Sequence, residues 1–245
     1  MGGKIAVFAS GKGGVGKSTL SALLGITLAG MGHSVLAIEL DAGLRSLDIM
    51  LGVEDKVVYD LADVLNGGCE LKNAVVKSDL NPRFSLLCAP HESRALAKGE
   101  ALEKLLEEAA EHYNDILVDL PSGIYDYFDS VFSKAEAFFV VVTPDIVSVR
   151  DGAVISHFAD LYRQMKPYLI INKVPKDPQA LVSFTDLDEV IDRVGLQLFG
   201  VVMEDRQIPF LTSEGKAPAL GSYAERVFRA MAGRYLGNYV ALTDY

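Results

Sequence analysis

The sequence predicts an α/β fold: a single, doubly wound domain with a mostly parallel sheet of about seven or eight strands and helices on both faces. Short runs rich in apolar and β-branched residues recur along the chain, with amphipathic helical patterns between them. A glycine-rich loop lies directly between the first run and the first helical pattern. No Pro/Ser-rich linker or block of charge divides the 245 residues, so we expect residues 1–245 to form one domain.

The predicted strands are nearly continuous in apolar residues instead of alternating with polar ones. That pattern is typical of strands covered on both faces of a parallel sheet. The runs are residues 5–9, 35–40, 84–89, 116–120, 137–143, 168–174 and 198–203. Because ligands of such sheets bind at the carboxyl ends of the strands, we expect the functional side chains at that edge.

The helices are predicted from apolar residues at helical spacing. The first follows the glycine-rich loop and ends at Gly30 and Gly32. Residues 100–112 place leucines on one face and glutamates on the other, and residues 149–165 and 222–236 are further helices. We interpret the apolar stripe of the last helix as core packing and not as a lipid anchor. Its members are Tyr223, Val227, Met231 and Tyr235.

The charge, the cysteine spacing and the length of the apolar runs disfavour several classes of function. With 23 basic and 33 acidic residues, the net charge of −10 disfavours general binding to the DNA backbone. The cysteines, Cys69 and Cys88, form no C-x-x-C pair and have no histidine at metal-ligand spacing, so we expect idle thiols in a reducing cytosol. No signal peptide is visible, and the apolar run 137–142 is far shorter than the ~18–20 residues of a membrane span. We therefore expect a cytoplasmic protein.

Residues 11–18 fit the phosphate-binding pattern G-x-x-x-x-G-K-[ST], between a predicted strand and a predicted helix. Its glycines let successive N–H groups turn toward phosphate oxygens, and the helix adds the positive end of its dipole. We expect Lys17 to neutralise the β- and γ-phosphates of ATP and the Ser18 hydroxyl to bind Mg²⁺. The loop carries a second lysine, Lys12, which we interpret as functional; a solvated loop lysine is the alternative.

The same loop, extended by one residue, resembles the deviant Walker A motif of the MinD/ParA family of ATPases. The resemblance implies that Lys12 reaches across a dimer interface to the partner subunit's nucleotide, and that the ATP-bound form is a homodimer holding two ATP molecules. It also implies that the loop residues bind ATP or ADP. These residues are Gly11, Lys12, Gly13, Gly14, Val15, Gly16, Lys17, Ser18 and Thr19.

Three further segments resemble MinD-like proteins within this family. Residues 41–48 read DAGLRSLD and resemble the switch I motif D-x-G-L-R-N-L-D. Residues 118–124 read VDLPSGI and resemble switch II, D-x-P-A-G-I. Residues 143–151 read TPDIVSVRD and resemble N-P-E-V-S-S-V-R-D. The matches follow the family order over most of the first 150 residues.

The resemblance assigns roles to side chains at the carboxyl edge. Asp41 is expected to orient the attacking water, so that Lys12, Lys17 and Asp41 form the catalytic set; a turn or helix-capping aspartate is the alternative. Asp119 is expected to bind Mg²⁺ through water or to Ser18, as the Walker B carboxylate. Glu39 stands where the family usually has aspartate, which leaves its role at the Mg²⁺ shell open.

The adenine site is expected at the ends of the last two strands. The Asn172 amide offers a donor and an acceptor to a base edge, although an asparagine there can also be a turn residue. The resemblance adds the loop 204–206, with Asp205. Here the family often has Pro-Glu-Asp, whereas this chain has Met203-Glu204-Asp205.

By resemblance, the chain is a MinD-like ATPase that dimerises on Mg-ATP, acts as a spatial switch in placing the cell-division site and has an activating protein partner. Binding to the inner face of the cell membrane stays open, because Arg234 is the only basic residue of the segment 234–245.

Three alternatives stay open. A ParA-like DNA or cargo partition ATPase is disfavoured by the charge and by the switch I sequence. A metallocluster carrier like the nitrogenase iron protein is disfavoured because Cys69 and Cys88 do not match its cysteine positions. A nucleotide-gated scaffold that scarcely hydrolyses ATP is kept open by Glu39.

Overall fold

The structure is a computed structural model that describes residues 2–43, 45–91, 99–159, 161–162 and 165–242. Its strands are β1 (Lys4–Ala9), β2 (Val35–Glu39), β3 (Val76–Lys77), β4 (Phe84–Leu87), β5 (Asp115–Asp119), β6 (Ala137–Val142), β7 (Lys166–Val174) and β8 (Gln197–Met203). Its helices are α1 (Lys17–Gly30), α2 (Leu47–Met50), α3 (Leu61–Leu65), α4 (Leu71–Ala74), α5 (Gly99–His112), α6 (Phe128–Phe132), α7 (Ile146–Ala159), α8 (Leu187–Val194), α9 (Gln207–Ser213) and α10 (Tyr223–Tyr235). Single 3₁₀ turns occupy Glu54–Lys56 and Pro178–Ala180.

The strands form one eight-stranded sheet in the order β3-β4-β2-β5-β1-β6-β7-β8. Every neighbouring pair is parallel except β3 with β4. Successive residues of β1 enter opposite layers: Val7 packs in one hydrophobic cluster and Phe8 in the other. The predicted doubly wound α/β fold is therefore confirmed, with a core on each face of the sheet. That residues 1–245 form one domain stays a prediction.

The seven strands predicted from apolar runs all exist, with ends within two residues of the predicted ones. The strand missed is β3, a two-residue antiparallel edge strand whose residues are not buried. So short and exposed a segment carries no apolar run, which is the signal on which the prediction depended.

The four predicted helices correspond to α1, α5, α7 and α10. Helix α7 begins at Ile146, three residues before the predicted start at residue 149, and part of its predicted end, at residues 160, 163 and 164, lies outside the described residues. The interpretation of the α10 stripe is confirmed: Val227, Met231 and Tyr235 are at most 4% exposed, and Tyr223 packs against the same cluster. Within the described ranges, no helix is long and apolar enough to cross a membrane.

The parallel register brings the predicted site residues to one edge of the sheet. Glu39 at the end of β2 and Phe8 near the end of β1 are both register partners of Asp119, which ends β5. The segments that follow β1, β2 and β6 carry Lys12, Asp41 and Asp145 to this same carboxyl edge.

Candidate nucleotide site

The phosphate loop folds as its glycines require. Gly14 and Gly16 have φ angles of +76° and +93°, in the left-handed region that favours glycine, and α1 begins immediately afterwards at Lys17. A Cβ on Gly16 would lie 2.3 Å from the Asn172 amide nitrogen, and one on Gly11 would lie 2.5 Å from the Asp151 Cβ. Close packing against β7 and α7 therefore also requires glycine, and the fold presents the cradle that the sequence predicts.

Lys17 lies inside this cradle and is paired. Its Nζ atom is 2.9 Å from Asp119 Oδ1, and the two side chains are only 6% and 0% exposed. The predicted phosphate-binding lysine and the predicted Mg²⁺ carboxylate are thus in direct contact. A buried ion pair of this kind is sensitive to the loss of either partner, because the remaining charge is left without compensation.

Two buried carboxylate oxygens at this edge have no hydrogen-bond partner: Asp119 Oδ2 and Glu39 Oε2. The other Glu39 oxygen, Oε1, accepts hydrogen bonds from Ser46 N at 2.8 Å, Ser46 Oγ at 3.2 Å and Leu47 N at 3.1 Å. Glu39 therefore closes the loop that carries Asp41. Burial raises the pKa of Glu39 to about 7, against the lowering effect of these hydrogen bonds and with a further increase from the nearby Asp119 and Asp48 charges.

Asp41 lies in the loop that Glu39 closes, half-buried after β2. Burial raises its pKa, and the charge of Asp119 adds to this effect while the charge of Lys17 opposes it. Asp41 is thus within electrostatic range of the buried Lys17–Asp119 pair. A carboxylate with a raised pKa is a stronger hydrogen-bond acceptor for a water molecule, which fits the predicted role.

Lys12 has a different environment. Its Nζ lies 3.0 and 3.1 Å from the two carboxylate oxygens of Asp145, and the side chains are 41% and 37% exposed. Asp145 also accepts from the Thr143 hydroxyl at 2.6 Å and from Ser148 N at 3.0 Å. Burial alone would raise the Asp145 pKa, but the bonds from Thr143, Ser148 and Lys12 outweigh burial and lower it.

The residues present fit a nucleotide with Mg²⁺. Ser18 follows Lys17 in the first turn of α1, and Asp119 Oδ2 is a buried acceptor without a hydrogen-bond partner at the same edge of the sheet. Across the described residues, no group of three or more His, Cys, Asp or Glu is placed to hold a metal ion. At nucleotide sites Mg²⁺ is generally held by one or two protein groups together with phosphates and water, and Ser18 and Asp119 would be those groups here.

The carboxyl ends of β7 and β8 are joined by a hydrogen bond from Glu204 N to Val174 O at 2.7 Å. Asn172 lies two residues before this bond on β7, and Asp205 follows it on the other segment. The buried Asn172 amide donates one Nδ2 hydrogen to Val15 O at 2.7 Å, which leaves its second N–H and its oxygen as the groups that could face a base. Asp205 accepts from Gln207 N at 2.8 Å and lies 3.4 Å from the Lys176 ammonium. Their role in reading adenine stays a prediction.

Sequence reasoning missed two residues that contact the loop, Asp145 and Lys173. Asp145 was within a segment that resembles the family, but the sequence did not show that it would pair with Lys12. Lys173 donates to Gly14 O at 2.7 Å and has a φ of +55°. No motif signalled it.

Comparison with known proteins now decides the family. A model of the CobQ/CobB/MinD/ParA nucleotide binding domain matches residues 6–219. The chain belongs to this family. As a MinD-like member, it is an ATPase of the P-loop type.

The relatives and solved structures agree with the family. The septum site-determining protein MinD of Bacillus subtilis (strain 168) is 32% identical over 248 residues, covering 98% of this chain and 91% of the relative. The MinC:MinD cell division protein complex of Aquifex aeolicus contains a chain that is 30% identical, with a TM-score of 0.88 and 99% coverage of each chain. MinD of Pyrococcus horikoshii OT3, solved with Mg-ADP, is 25% identical, with a TM-score of 0.82 and coverage of 98% and 99%.

Proposed function

We propose that this chain is a MinD-like ATPase that dimerises on binding Mg-ATP and acts as a spatial switch in placing the cell-division site. The cell-division role is supported by its similarity to septum site-determining MinD of Bacillus subtilis and to the MinD of the Aquifex aeolicus MinC:MinD complex. The observation that carries the dimer is the different placement of the loop lysines: Lys17 is buried inside the cradle, whereas Lys12 is at the surface.

Lys12 can leave its present partner at little cost. An exposed ion pair such as Lys12–Asp145 contributes only about 0–1 kcal/mol, so a stronger anion can displace Asp145. The triphosphate of a nucleotide bound to a second copy of the chain is such an anion. Lys12 would then neutralise charge that develops during hydrolysis in the neighbouring site, which makes turnover depend on dimerisation.

The other residues act within one subunit. Lys17 would exchange Asp119 for phosphate oxygens, and Asp119, together with the Ser18 hydroxyl, would then be able to hold Mg²⁺. The bound ion supplies neutralisation of the phosphate charge. Asp41 holds a water molecule in line with the γ-phosphate, while Glu39 keeps the Asp41 loop closed. Catalysis is positional and electrostatic, as is general for phosphoryl transfer.

Switch II supplies a way to sense the γ-phosphate. Gly123 has a φ of +104° and donates its N–H to Ser10 O at 2.9 Å, so the segment after Asp119 is attached directly to the start of the phosphate loop. A γ-phosphate bound beside the contact between Gly123 and Ser10 would be lost on hydrolysis, and its interactions with switch II would be lost with it. The dimer would then release its subunits, and ATP would act as an assembly switch.

We further propose a protein partner that stimulates turnover, and MinC-like proteins are the first candidates to bind because the Aquifex relative was solved with MinC. The membrane surface is a second candidate, and the protein would then be cytoplasmic and peripheral. Co-sedimentation with anionic vesicles in ATP and in ADP tests this: binding in ATP alone supports membrane cycling, and no binding in either nucleotide contradicts it. DNA is not expected to bind, given the charge of −10.

The dimer is tested by measuring ATP turnover per chain over a hundredfold range of protein concentration. Turnover should rise with concentration and then saturate, because each site needs Lys12 of a second subunit. Asp41→Ala should elute as a dimer in Mg-ATP and as a monomer in Mg-ADP on size exclusion, since it binds ATP without positioning water. Constant turnover per chain together with a monomeric Asp41→Ala variant would rule out the dimer.

The same measurement separates an ATPase from a nucleotide-gated scaffold. Wild-type turnover well above that of Asp41→Ala is expected for the ATPase. Equal turnover of the two proteins would favour the scaffold and would remove the catalytic role of Asp41.

A further inference from the structure

The carboxyl end of β7 contacts the phosphate loop in an unusual way. Two consecutive residues, Asn172 and Lys173, both donate to carbonyl groups of this loop: Asn172 Nδ2 to Val15 O and Lys173 Nζ to Gly14 O, each at 2.7 Å. Successive side chains of a regular strand point to opposite faces of the sheet. Two neighbours can therefore reach the same loop only where the strand is irregular.

The irregularity is present at these residues. In the pairing of β7 with β8, Ile171 is opposite Val201 and Val174 is opposite Met203, so two residues of β7 face one residue of β8. Such a bulge re-aims side chains, and bulges are common next to functional sites. Lys173 takes up the distortion with a φ of +55°, and it is the only non-glycine residue with positive φ within the described ranges. A lysine in this conformation is strained, and such strain is kept where the surroundings determine it.

The contacts solve a problem that the loop creates. A loop that turns its N–H groups inward to bind phosphate turns carbonyl groups outward, and buried carbonyls need donors. Asn172 supplies the donor for Val15 O, which is buried, and Lys173 supplies one for Gly14 O at the exposed surface of the loop. Asn172 also fills the space where a Cβ on Gly16 would lie, so the bulge fixes the loop on its outer side. The Lys173 ammonium adds a positive charge behind the anion site.

We propose that the Asn172–Lys173 bulge is a brace that sets the shape of the phosphate loop, and that Lys173 is a positioning residue for nucleotide binding. The inference rests on the proposed nucleotide site. The end of β7 would then support the binding of the phosphates, in addition to the base-reading role expected for Asn172. The brace acts on the loop before a ligand arrives, so it should affect every ligand that carries the phosphate chain, with or without a base.

The test compares calorimetric dissociation constants of ADP and of tripolyphosphate, both with Mg²⁺. Lys173→Met keeps the aliphatic chain and removes the ammonium, and it should weaken both ligands by about fivefold. Lys173→Arg keeps a donor and should stay within about twofold of wild type for both ligands. Lys166→Met is the matched control: it changes an exposed lysine at the opposite end of the same strand and should bind like wild type.

Lys173→Gly distinguishes a role of Lys173 in nucleotide binding from a role in stability alone. Glycine relieves the strain of the positive φ, and it also removes the ammonium. The Tm of this variant should equal or exceed that of wild type, while its affinity for both ligands falls as in Lys173→Met. Unchanged affinity in Lys173→Met, or weaker ADP binding with unchanged tripolyphosphate binding, would overturn the brace. A wild-type protein that binds neither ligand would instead refute the nucleotide site itself, and the inference with it.

Discussion

The phosphate loop has an inner half, residues 14–18, and an outer half, residues 11–13. Each half carries one lysine, and the two lysines differ in burial and in partner. Lys17 in the inner half is 6% exposed and paired with a fully buried carboxylate, whereas Lys12 in the outer half is 41% exposed and paired with a surface carboxylate. The geometry of a single chain is enough to explain Lys17. Lys12 instead lies at the surface, where the proposed contact with a nucleotide of a second subunit would require it to be.

The comparison predicts that Lys17→Ala has the largest effect. Nucleotide affinity should fall at least about a hundredfold, and the free energy of unfolding should drop by about 3–5 kcal/mol, because Asp119 is left as a buried unpaired charge. Chemical denaturation and calorimetric titration measure the two losses. The double variant Lys17→Met with Asp119→Asn should recover stability without recovering binding. Recovery of binding would show that Lys17 serves only the fold.

Lys12→Ala should strongly reduce ATP turnover and leave ATP affinity and stability nearly unchanged. We expect turnover to fall at least about a hundredfold, as for removal of a charge-stabilising group supplied in trans. ATP affinity should change less than about threefold and stability by less than about 1 kcal/mol, because the Lys12–Asp145 pair is exposed. Lys56→Ala, which removes another exposed, paired lysine, is the control and should keep full turnover. Full activity of Lys12→Ala would remove the difference between the two halves.

Alanine substitutions at Gly16 and Gly14 should destabilise the inner half of the loop to different extents. Gly16→Ala combines a positive φ with a Cβ 2.3 Å from Asn172 Nδ2, so we expect a loss of about 2 kcal/mol or more in stability and a clear loss of nucleotide affinity. Gly14→Ala has the positive φ but nothing within 4 Å of the added Cβ, and should lose only about 1 kcal/mol. Thermal unfolding of both variants checks the ranking. Equal losses would show that contact with β7 does not shape the loop.

The smallest effect concerns Glu39, on the inner side of the site. Its pKa rises from 4.5 to about 7, so the folded protein holds a proton that the unfolded chain releases. This stabilisation is complete below about pH 4.5 and is lost as the pH rises through about 7. Glu39→Gln should therefore match wild type near pH 4 and exceed its Tm by about 3 °C or more at pH 8.5.

The control for Glu39 is Glu111→Gln, which alters an exposed carboxylate on α5 and should leave the pH profile unchanged. A Glu39→Gln profile parallel to that of wild type would mean that Glu39 is already charged at neutral pH.

The sequence predicted the parts of the molecule that depend on local patterns. Strands buried on both faces show as apolar runs, and the phosphate loop shows as glycines before Lys17. The short helices between these elements, such as α2 and α4, were not predicted because four residues carry no helical period. Lys12–Asp145 and Lys173–Gly14 join residues 133 and 159 positions apart, and no local pattern reports such contacts. Glu39 was noted as a departure, but its bonds to switch I required the structure.

The strand order has a consequence for synthesis of the chain. The first strand, β1, lies between β5 and β6, so both of its neighbours in the sheet come from residues 115–142. Translation needs on the order of ten seconds to supply them, and during this time the apolar face of α1 has no sheet to cover it. Nascent chains stalled before residue 115 should therefore expose β1 and α1 to protease, and chains that extend beyond residue 142 should protect them. The segment that we propose to bind nucleotide is among the first to leave the ribosome, and it acquires its shape only after the middle of the chain has been made.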